Sequence, residues 1–375
     1  MRLLYLLTTL GIGGAERQAL SLAECMARRG HQVSVLVLRS RCNDQWPTAL
    51  PTEFLNMSRS PWPFFRGMMR GQRALSAFRP DLIHSHTYPA NMAARLLIPF
   101  LPRTRLVATI HNVREGGWGR SLAYRLTDRL VAATTAVSQD VANRVLADRS
   151  VPAGKCRVLC NAFDLRALRP DSARRRRLRE AMQTGGNFIW LAAGRLTPAK
   201  DYPNLLRAFA RLRVSWPQTE LWIAGEGESY FLRVLQTLAG QQNLQQSVRW
   251  LGLRKDLPEL LDAADGFVLA SAWEGMPLVI GEAMAMEKNV VATDVGGVRE
   301  LLGACGSIVP PHAPEALAAA MSELMHWPRE ERQAVGKSAR RRIEESFSME
   351  RMADRWEEFY RGIVAEGRGQ RTADS

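Results

Sequence analysis

The stretch Ser271 to Glu282, SAWEGMPLVIGE, follows the apolar run GFVLA at 266–270. That run has the length and composition of a buried strand. Pro277 stands where a helix can begin, because a first-turn proline forfeits no helical hydrogen bond. A helix start leaves amide N–H groups unpaired and carries a partial positive charge, which suits a phosphate. Glu274 falls in the loop and Glu282 on the helix. Two carboxylates flanking such a start can accept hydrogen bonds from sugar hydroxyls.

Working outward, the same strand–loop–helix logic recurs twice. At the beginning, the apolar residues 3–8 lead into Gly11, Gly13 and Gly14, then a helix from about Ala15 to Arg28, then the strand HQVSVLVL. Gly30 supplies a stop signal. A second round opens at Phe188 with FIWLAAGRLTPAKDYPNLLRAFARL and continues into ELWIAGEGE. Further strands are expected near 52–55, 81–85, 106–110 and 131–137, and later at 248–251. The chain therefore reads as two similar α/β halves, each a doubly wound sheet. The segment Val158 to Pro170 is the expected crossing between them. Arg195 and Lys200 share the loop after the first strand of the second half. There an arginine fork and a lysine point charge would reach both phosphates of a diphosphate.

The 375 residues suit about two domains, and 46% hydrophobic content is that of a globular chain. No run approaches the ~18 apolar residues of a membrane span, and MRLLYLLTTL reads as a first strand rather than a signal peptide. The five cysteines include no CxxC pair, so free thiols in a reducing cytoplasm are expected. A zinc site from Cys156 and Cys160 lacks a second ligand pair. The net charge of +14 calls for an anionic partner, although arginines such as the run Arg174 to Arg177 also solvate helix faces. No nucleic-acid-binding motif accompanies that charge. His84 and His86 share one face of a strand end. Without a third ligand, polar packing is the expected role and a metal pair the alternative. His111 lies at the carboxyl end of a strand, where ligands of open α/β sheets collect. The loop Arg114 to Gly117 follows it.

GGAER near the start, GRLTPAK in the middle and EGMPLVIGE with its E-x7-E spacing resemble the retaining glycosyltransferases of family 4. PDLIHSHTYPANMAARL and TIHNVREGG are similar to members that build bacterial surface polysaccharides. The resemblance implies the B-type glycosyltransferase (GT-B) fold, two Rossmann-like domains facing across a cleft. It implies an acceptor-side domain at 1–165, a donor-binding domain at 166–348 and a last helix, 349–365, that packs back on the first domain. The polar tail 366–375 is expected to be disordered. By the same resemblance Arg195 and Lys200 bind the donor diphosphate, Glu282 the ribose, and Glu274 with Gly275, Met276 and Pro277 the donor sugar. Leu278 and Val279 offer amides, Leu253 and Arg254 read the base, and Gly225 belongs to the same donor-binding set. Gly13 and Gly14 line the opposite side of the cleft, and His111 contacts the donor sugar.

Breaking a sugar–phosphate bond leaves positive charge on the anomeric carbon and negative charge on the diphosphate, so preorganised cations stabilise the departing group. No D-x-D metal signature is present. The expectation is a metal-independent transfer with no cofactor, from a nucleotide sugar, a UDP-sugar first, to a glycan or lipid-diphosphate acceptor. Same-face attack, with the donor phosphate helping to take the acceptor proton, would retain configuration; a double displacement through Glu274 stays open. The protein would be cytoplasmic, with peripheral contact to the anionic inner membrane face. Two other readings compete. One is an epimerase or sugar-phosphate synthase of the same fold; the other is a non-catalytic basic adaptor for membrane or another polyanion. Glu274, Glu282, Arg195 and Lys200 together weigh against the last.

Overall fold

The two glycine-loop repeats fold as two separate parallel sheets in the computed structural model. It describes every residue except 12, 40–46, 59, 115 and 374–375, with the side chains of 368–373 also left aside. Cys42 and Glu115 thus lie outside the described residues. The chain divides into Met1–Ala162 with Met349–Ser375, and Phe163–Ser348.

The first unit runs β1 (Arg2–Leu7), α1 (Gly14–Arg28), β2 (Gln32–Val37), β3 (Thr52–Phe54), α2 (Pro61–Phe78), β4 (Leu82–His86), α3 (Tyr88–Leu97), β5 (Arg105–Ile110), α4 (Trp118–Leu126), β6 (Ala133–Ala136), α5 (Gln139–Ala147) and β7 (Cys156–Val158). Its strand order is β3-β2-β1-β4-β5-β6-β7. Successive side chains of a strand point to opposite faces, and β1 shows the consequence. Leu3, Tyr5 and Leu7 pack under α1 in one core. Leu4 and Leu6 pack with Leu75 of α2 and Ala90, Ala94 and Leu97 of α3 in another. Both faces are covered, which is why β1 is apolar without alternation.

The second unit holds α6 (Ser172–Ala181), β8 (Phe188–Ala193), α7 (Tyr202–Ser215), β9 (Thr219–Ala224), α8 (Ser229–Gln241), β10 (Val248–Gly252), α9 (Leu257–Ala263), β11 (Gly266–Leu269), α10 (Leu278–Ala285), β12 (Asn289–Thr293), α11 (Val298–Leu302), β13 (Ser307–Val309), α12 (Pro314–His326) and α13 (Arg329–Ser346). Its order is β10-β9-β8-β11-β12-β13. The arginine run lies in α6, and part of it is spent inside the unit. Arg174 pairs with Asp262, Arg175 and Arg179 pair with Asp265, and Arg175 donates to the carbonyls of Asp262, Ala263 and Ala264 at the end of α9. Those carbonyls have no intrahelical partner, so a guanidinium there both bonds them and opposes the helix dipole.

Two boundaries differ from expectation. The division falls at Ala162 and Phe163, ahead of 165. Ala162 belongs to the first unit's core, whereas Phe163 pairs with Ser348 and beds against Gly281, where an added Cβ would lie 2.0 Å from its ring. The tail expected to be disordered from 366 instead continues the last helix, α14 (Met349–Ala373). Extending an existing helix needs no new nucleus, so a polar, glycine-bearing sequence can follow. Trp356 and Tyr360 of α14 are buried in the core beneath α1.

Candidate functional site

In an open α/β sheet, ligands bind beyond the carboxyl ends of the strands where the strand order reverses. In the second unit that point lies between β8 and β11, since β9 continues to one side and β12 to the other. The loops leaving β8 and β11 carry Lys200 and Glu274. They are tied together by the Ala272 N–H donating to the Ala199 carbonyl, 2.8 Å. Lys200 Nζ donates to Glu274 Oε1 at 2.6 Å, and Ser271 Oγ donates to the same oxygen at 2.7 Å. The two charged side chains are 17% and 12% exposed. At that depth an ion pair escapes most of the screening that weakens surface pairs.

Several groups hold these loops in place. Gly194 and Gly225 take φ 153° and 156°, and a Cβ on Gly225 would sit 1.9 Å from the Gly194 carbonyl oxygen. Only glycine lets the loops after β8 and β9 close together this way. Tyr202 Oη donates to that same carbonyl at 2.8 Å, and burial pushes its phenol pKa above the usual range, keeping it a donor. From the other side, Gly297 N–H donates to the Gly275 carbonyl at 2.6 Å. Gly296, with φ 53°, leaves no room for a Cβ beside the Glu274 and Gly275 carbonyls. Thr293 Oγ1 donates to the Ser271 carbonyl at 2.7 Å.

The remaining predicted donor-side residues are spread around this pair. Pro277 caps α10 from outside rather than opening its first turn, so the helix begins at Leu278. Leu278 and Val279 are half-buried, while Gly275, Met276 and Glu282 are buried, Glu282 at 3% exposure. Arg195 is exposed and makes no ion pair among the described residues, so the two cations of this loop differ: one is held by a carboxylate, one is open. Leu253 is half-buried beside Gly252, whose φ is 65°. Arg254 forms a two-pronged bond with Asp256, 2.7 and 2.5 Å, which raises its pKa and lowers that of Asp256.

The first unit reverses between β1 and β4. Here the groups at the strand ends are hydroxyls and imidazoles. Thr8 Oγ1 and Thr87 Oγ1 share a hydrogen bond of 2.7 Å. Thr87 takes φ 68°, a region costly for a β-branched residue. His84 is held by Tyr360 Oη through Nδ1 and by Thr109 Oγ1 through Nε2, both at 2.6 Å. With both nitrogens engaged, it is packed rather than poised for a metal. The His86 ring lies tilted 4.0 Å from that of His84, and its Nδ1 lies 3.0 Å from Nε2 of His111, just past the end of β5. His86 Nε2 is buried with no partner among the described residues. An unpaired buried acceptor costs less than an unpaired buried N–H. With the proton on His86 Nδ1, that nitrogen donates to His111 Nε2 and His86 Nε2 is left as an acceptor; the reverse tautomer buries an unpaired N–H instead. Burial lowers all three pKa values, that of His111 to about 4, so each ring is neutral at pH 7.

Gly13 is the N-cap of α1, with ordinary extended backbone, and Gly14 is its first residue. Glu16 folds over this start: Thr9 Oγ1 donates to its Oε1 at 3.0 Å, and its Oε2 lies 2.3 Å from where a Gly13 Cβ would be. The carboxylate thus lies against Gly13, where any side chain would meet it. Sequence reading missed Glu16, Ser271, Tyr202, Gly296 and the role of His86. Only the glycine pair in NVVATDVGG and the serine inside the opening stretch gave any signal, because the rest depend on contacts distant in sequence.

A family model described as Glycosyltransferase Family 4 matches residues 12–167, and one described as Glycosyl transferases group 1 matches 187–326. An uncharacterized glycosyltransferase of Methanocaldococcus jannaschii is 26% identical over 270 residues, 66% of this chain and 65% of that protein. The chain thus spans just under two thirds of that relative. A D-inositol 3-phosphate glycosyltransferase of Kineococcus radiotolerans is 28% identical over 413 aligned residues, 96% of this chain and 93% of that one. The crystal structure of Anabaena HepE in complex with UDP and glucose superposes with a TM-score of 0.85 at 22% identity, covering 96% of this chain and all of that one. The two matched models follow one another in the order of the two units, each over its own sheet. The chain belongs to the family 4 glycosyltransferases and has their fold, two Rossmann-like α/β domains of the GT-B type.

Proposed function

We propose that this glycosyltransferase moves a sugar from a UDP-sugar to a glycan or lipid-diphosphate acceptor in cell-surface polysaccharide assembly, with retention of configuration and without a metal. The observation that carries the reading is the Lys200–Glu274 pair at the strand-order reversal of the second unit. Cleaving the donor's sugar–phosphate bond places negative charge on the departing diphosphate. Lys200, already desolvated and preorganised, meets that charge, and the exposed Arg195 adds a second cation. Glu274, released from Lys200, accepts hydroxyl hydrogen bonds of the donor sugar, and Glu282 those of the ribose. The half-buried amides of Leu278 and Val279 at the start of α10 serve the phosphate. His111 acts as a neutral hydrogen-bonding group. Glu274 is held by Lys200 and Ser271. That restraint suits a grip on the sugar better than a nucleophile, so same-face attack is preferred. HepE, solved with UDP and with UDP-glucose, supports the choice of a UDP donor.

The test is a turnover panel of UDP-, GDP- and ADP-sugars with EDTA and with added Mg²⁺, and the product's anomeric configuration read by NMR. The reading expects UDP-sugar turnover that persists in EDTA and an anomer matching that of the donor. An inverted product, or activity abolished by EDTA and restored by metal, contradicts it.

A further inference from the structure

The outer surface of the first unit carries a second feature that nucleotide-sugar chemistry does not use. Thirteen large apolar side chains are exposed among the described residues, and ten of them lie in the layer made by α2, α3, α4 and the turns that follow α3 and α4. These helices occupy one side of the sheet. α2 and α3 share the core with Leu4 and Leu6, and α4 lies against α3, with Asn91 Nδ2 donating to Tyr124 Oη at 3.0 Å. On α4, Trp118, Leu122 and Leu126 stand at i, i+4 and i+8 with exposures of 81, 40 and 74%. They form one stripe, and Tyr124 is the helix's buried residue on the inner side. On α2, Trp62, Phe65 and Met69 do the same at i, i+3 and i+7, with the Trp62 and Phe65 rings stacked 6.2 Å apart. The inner side of α2 is Gly67, Gly71 and Leu75. Solvent-facing aromatic and aliphatic rows of this kind mark an interaction surface.

The charges carried by the two helices that bear these rows are all basic; the acidic Asp148, which lies near Leu122 and Arg125, is paired with Arg144. α2 carries Arg66, Arg70 and Arg73, and α4 carries Arg120 and Arg125, all exposed, and neither helix contains an Asp or Glu. Arg174, Arg175 and Arg179 of α6 pair with Asp262 and Asp265, whereas Arg66, Arg70 and Arg73 of α2 make no ion pair among the described residues. Next to α4 the acidic Asp128 is buried and paired with Lys155. A second copy of the chain is a poor occupant, since a two-fold contact through this patch would set arginines against arginines. Tryptophan, phenylalanine and leucine at an interface, with arginines whose stems lie along apolar surface and whose heads reach phosphate, match an anionic lipid bilayer.

We infer that the α2–α4 face docks on a membrane surface rich in anionic lipid, with the Trp118–Leu122–Leu126 row inserting among the headgroups and the flanking arginines holding phosphates. The surface contributes nothing to donor chemistry, so the inference stands or falls apart from the proposed reaction. It is tested by flotation of the full chain with vesicles of 30% phosphatidylglycerol in phosphatidylcholine, against vesicles of phosphatidylcholine alone. The expected result is binding to the anionic vesicles only, reduced at least tenfold by Trp118→Ser with Leu126→Ser. The charge variant Arg66→Glu with Arg70→Glu is expected to lower it to a similar degree, and 0.5 M salt to weaken the remainder. UDP affinity and thermal unfolding of both variants are measured alongside, to show that each is folded. Equal flotation of wild type and folded variants overturns the inference. So does equal binding to both vesicle types, or a vesicle-independent dimer that the substitutions dissolve.

Discussion

The two strand-order reversals share an architecture and differ in charge. Between β8 and β11 the loops bring an ammonium and a carboxylate to 2.6 Å. Between β1 and β4 they bring two threonine hydroxyls together, with three imidazoles alongside that burial keeps neutral. A doubly wound sheet thus provides a place for a ligand, and the loop residues decide whether that place stabilises charge or only donates and accepts hydrogen bonds. On the proposed reading the end with the Lys200–Glu274 pair serves the departing diphosphate, and the imidazole end, with the Glu16 carboxylate at the start of α1, serves groups whose charge does not change.

The comparison breaks first at Lys200. Lys200→Ala is expected to lower kcat by about 10²–10³-fold, ~3–4 kcal/mol of transition-state stabilisation, in initial-rate assays at saturating donor. Turnover within threefold of wild type would remove the charged end from the chemistry. The glycines of the two ends should also respond unequally. Gly225→Ala faces both a left-handed φ and a backbone oxygen at 1.9 Å, and is expected to cost ~2–4 kcal/mol of the second unit's stability. Gly13→Ala meets only the far end of the Glu16 side chain at an ordinary φ, and should change stability by less than ~1 kcal/mol. Chemical denaturation of the two variants measures both.

The imidazole end is sharpened by pH. The folded-state pKa values of His84, His86 and His111 lie below the ordinary value of 6.5. The unfolded chain therefore binds more protons once the pH drops below that value. The stability these rings contribute is complete above about pH 6.5 and is lost as the pH falls toward 4, where His111 itself titrates in the folded protein. A ring protonated in the unfolded chain and neutral in the folded one contributes at most ~1.4 kcal/mol per pH unit. Denaturation midpoints of the first unit between pH 7.5 and 4.5 should show the slope, and His84→Gln should reduce it. The smallest effect concerns His86, which on the proposed reading acts through His111 as a positioning residue. His86→Leu should lower kcat about fivefold, ~1 kcal/mol, the worth of one hydrogen bond. It should also shift the ¹⁵N chemical shifts of His111 toward the other tautomer. His86→Asn, which keeps a donor near the Nδ1 position, should restore part of both.

Much of this architecture is legible in the chain. LLYLL and FIWLAA are apolar throughout because their strands are covered on both faces, and the loops that follow carry glycines where the backbone must turn sharply. Lys200, Glu274 and His111 are recognisable as candidates because each follows a strand end. What cannot be read is the contact between them. Lys200 and Glu274 are 74 residues apart in sequence and His86 and His111 are 25 apart, joined only by the order of strands in each sheet. The arginine run at Arg174 to Arg177 looks like surface charge until α6 is placed against the end of α9. Likewise Gly13 and Gly14 read as a plain glycine loop, and nothing in the sequence shows that the Glu16 carboxylate reaches back to Gly13.

The central claim is that Lys200 exchanges Glu274 for the donor's diphosphate. Its most direct test is UDP binding by titration calorimetry to the wild type and to Glu274→Gln, with transfer activity measured on the same samples. Removing the carboxylate's charge frees Lys200 from its competing partner and weakens the grip on the sugar. The account predicts tighter UDP binding, by about three- to tenfold, together with slower transfer. UDP affinity unchanged or weakened in a folded Glu274→Gln protein would contradict it.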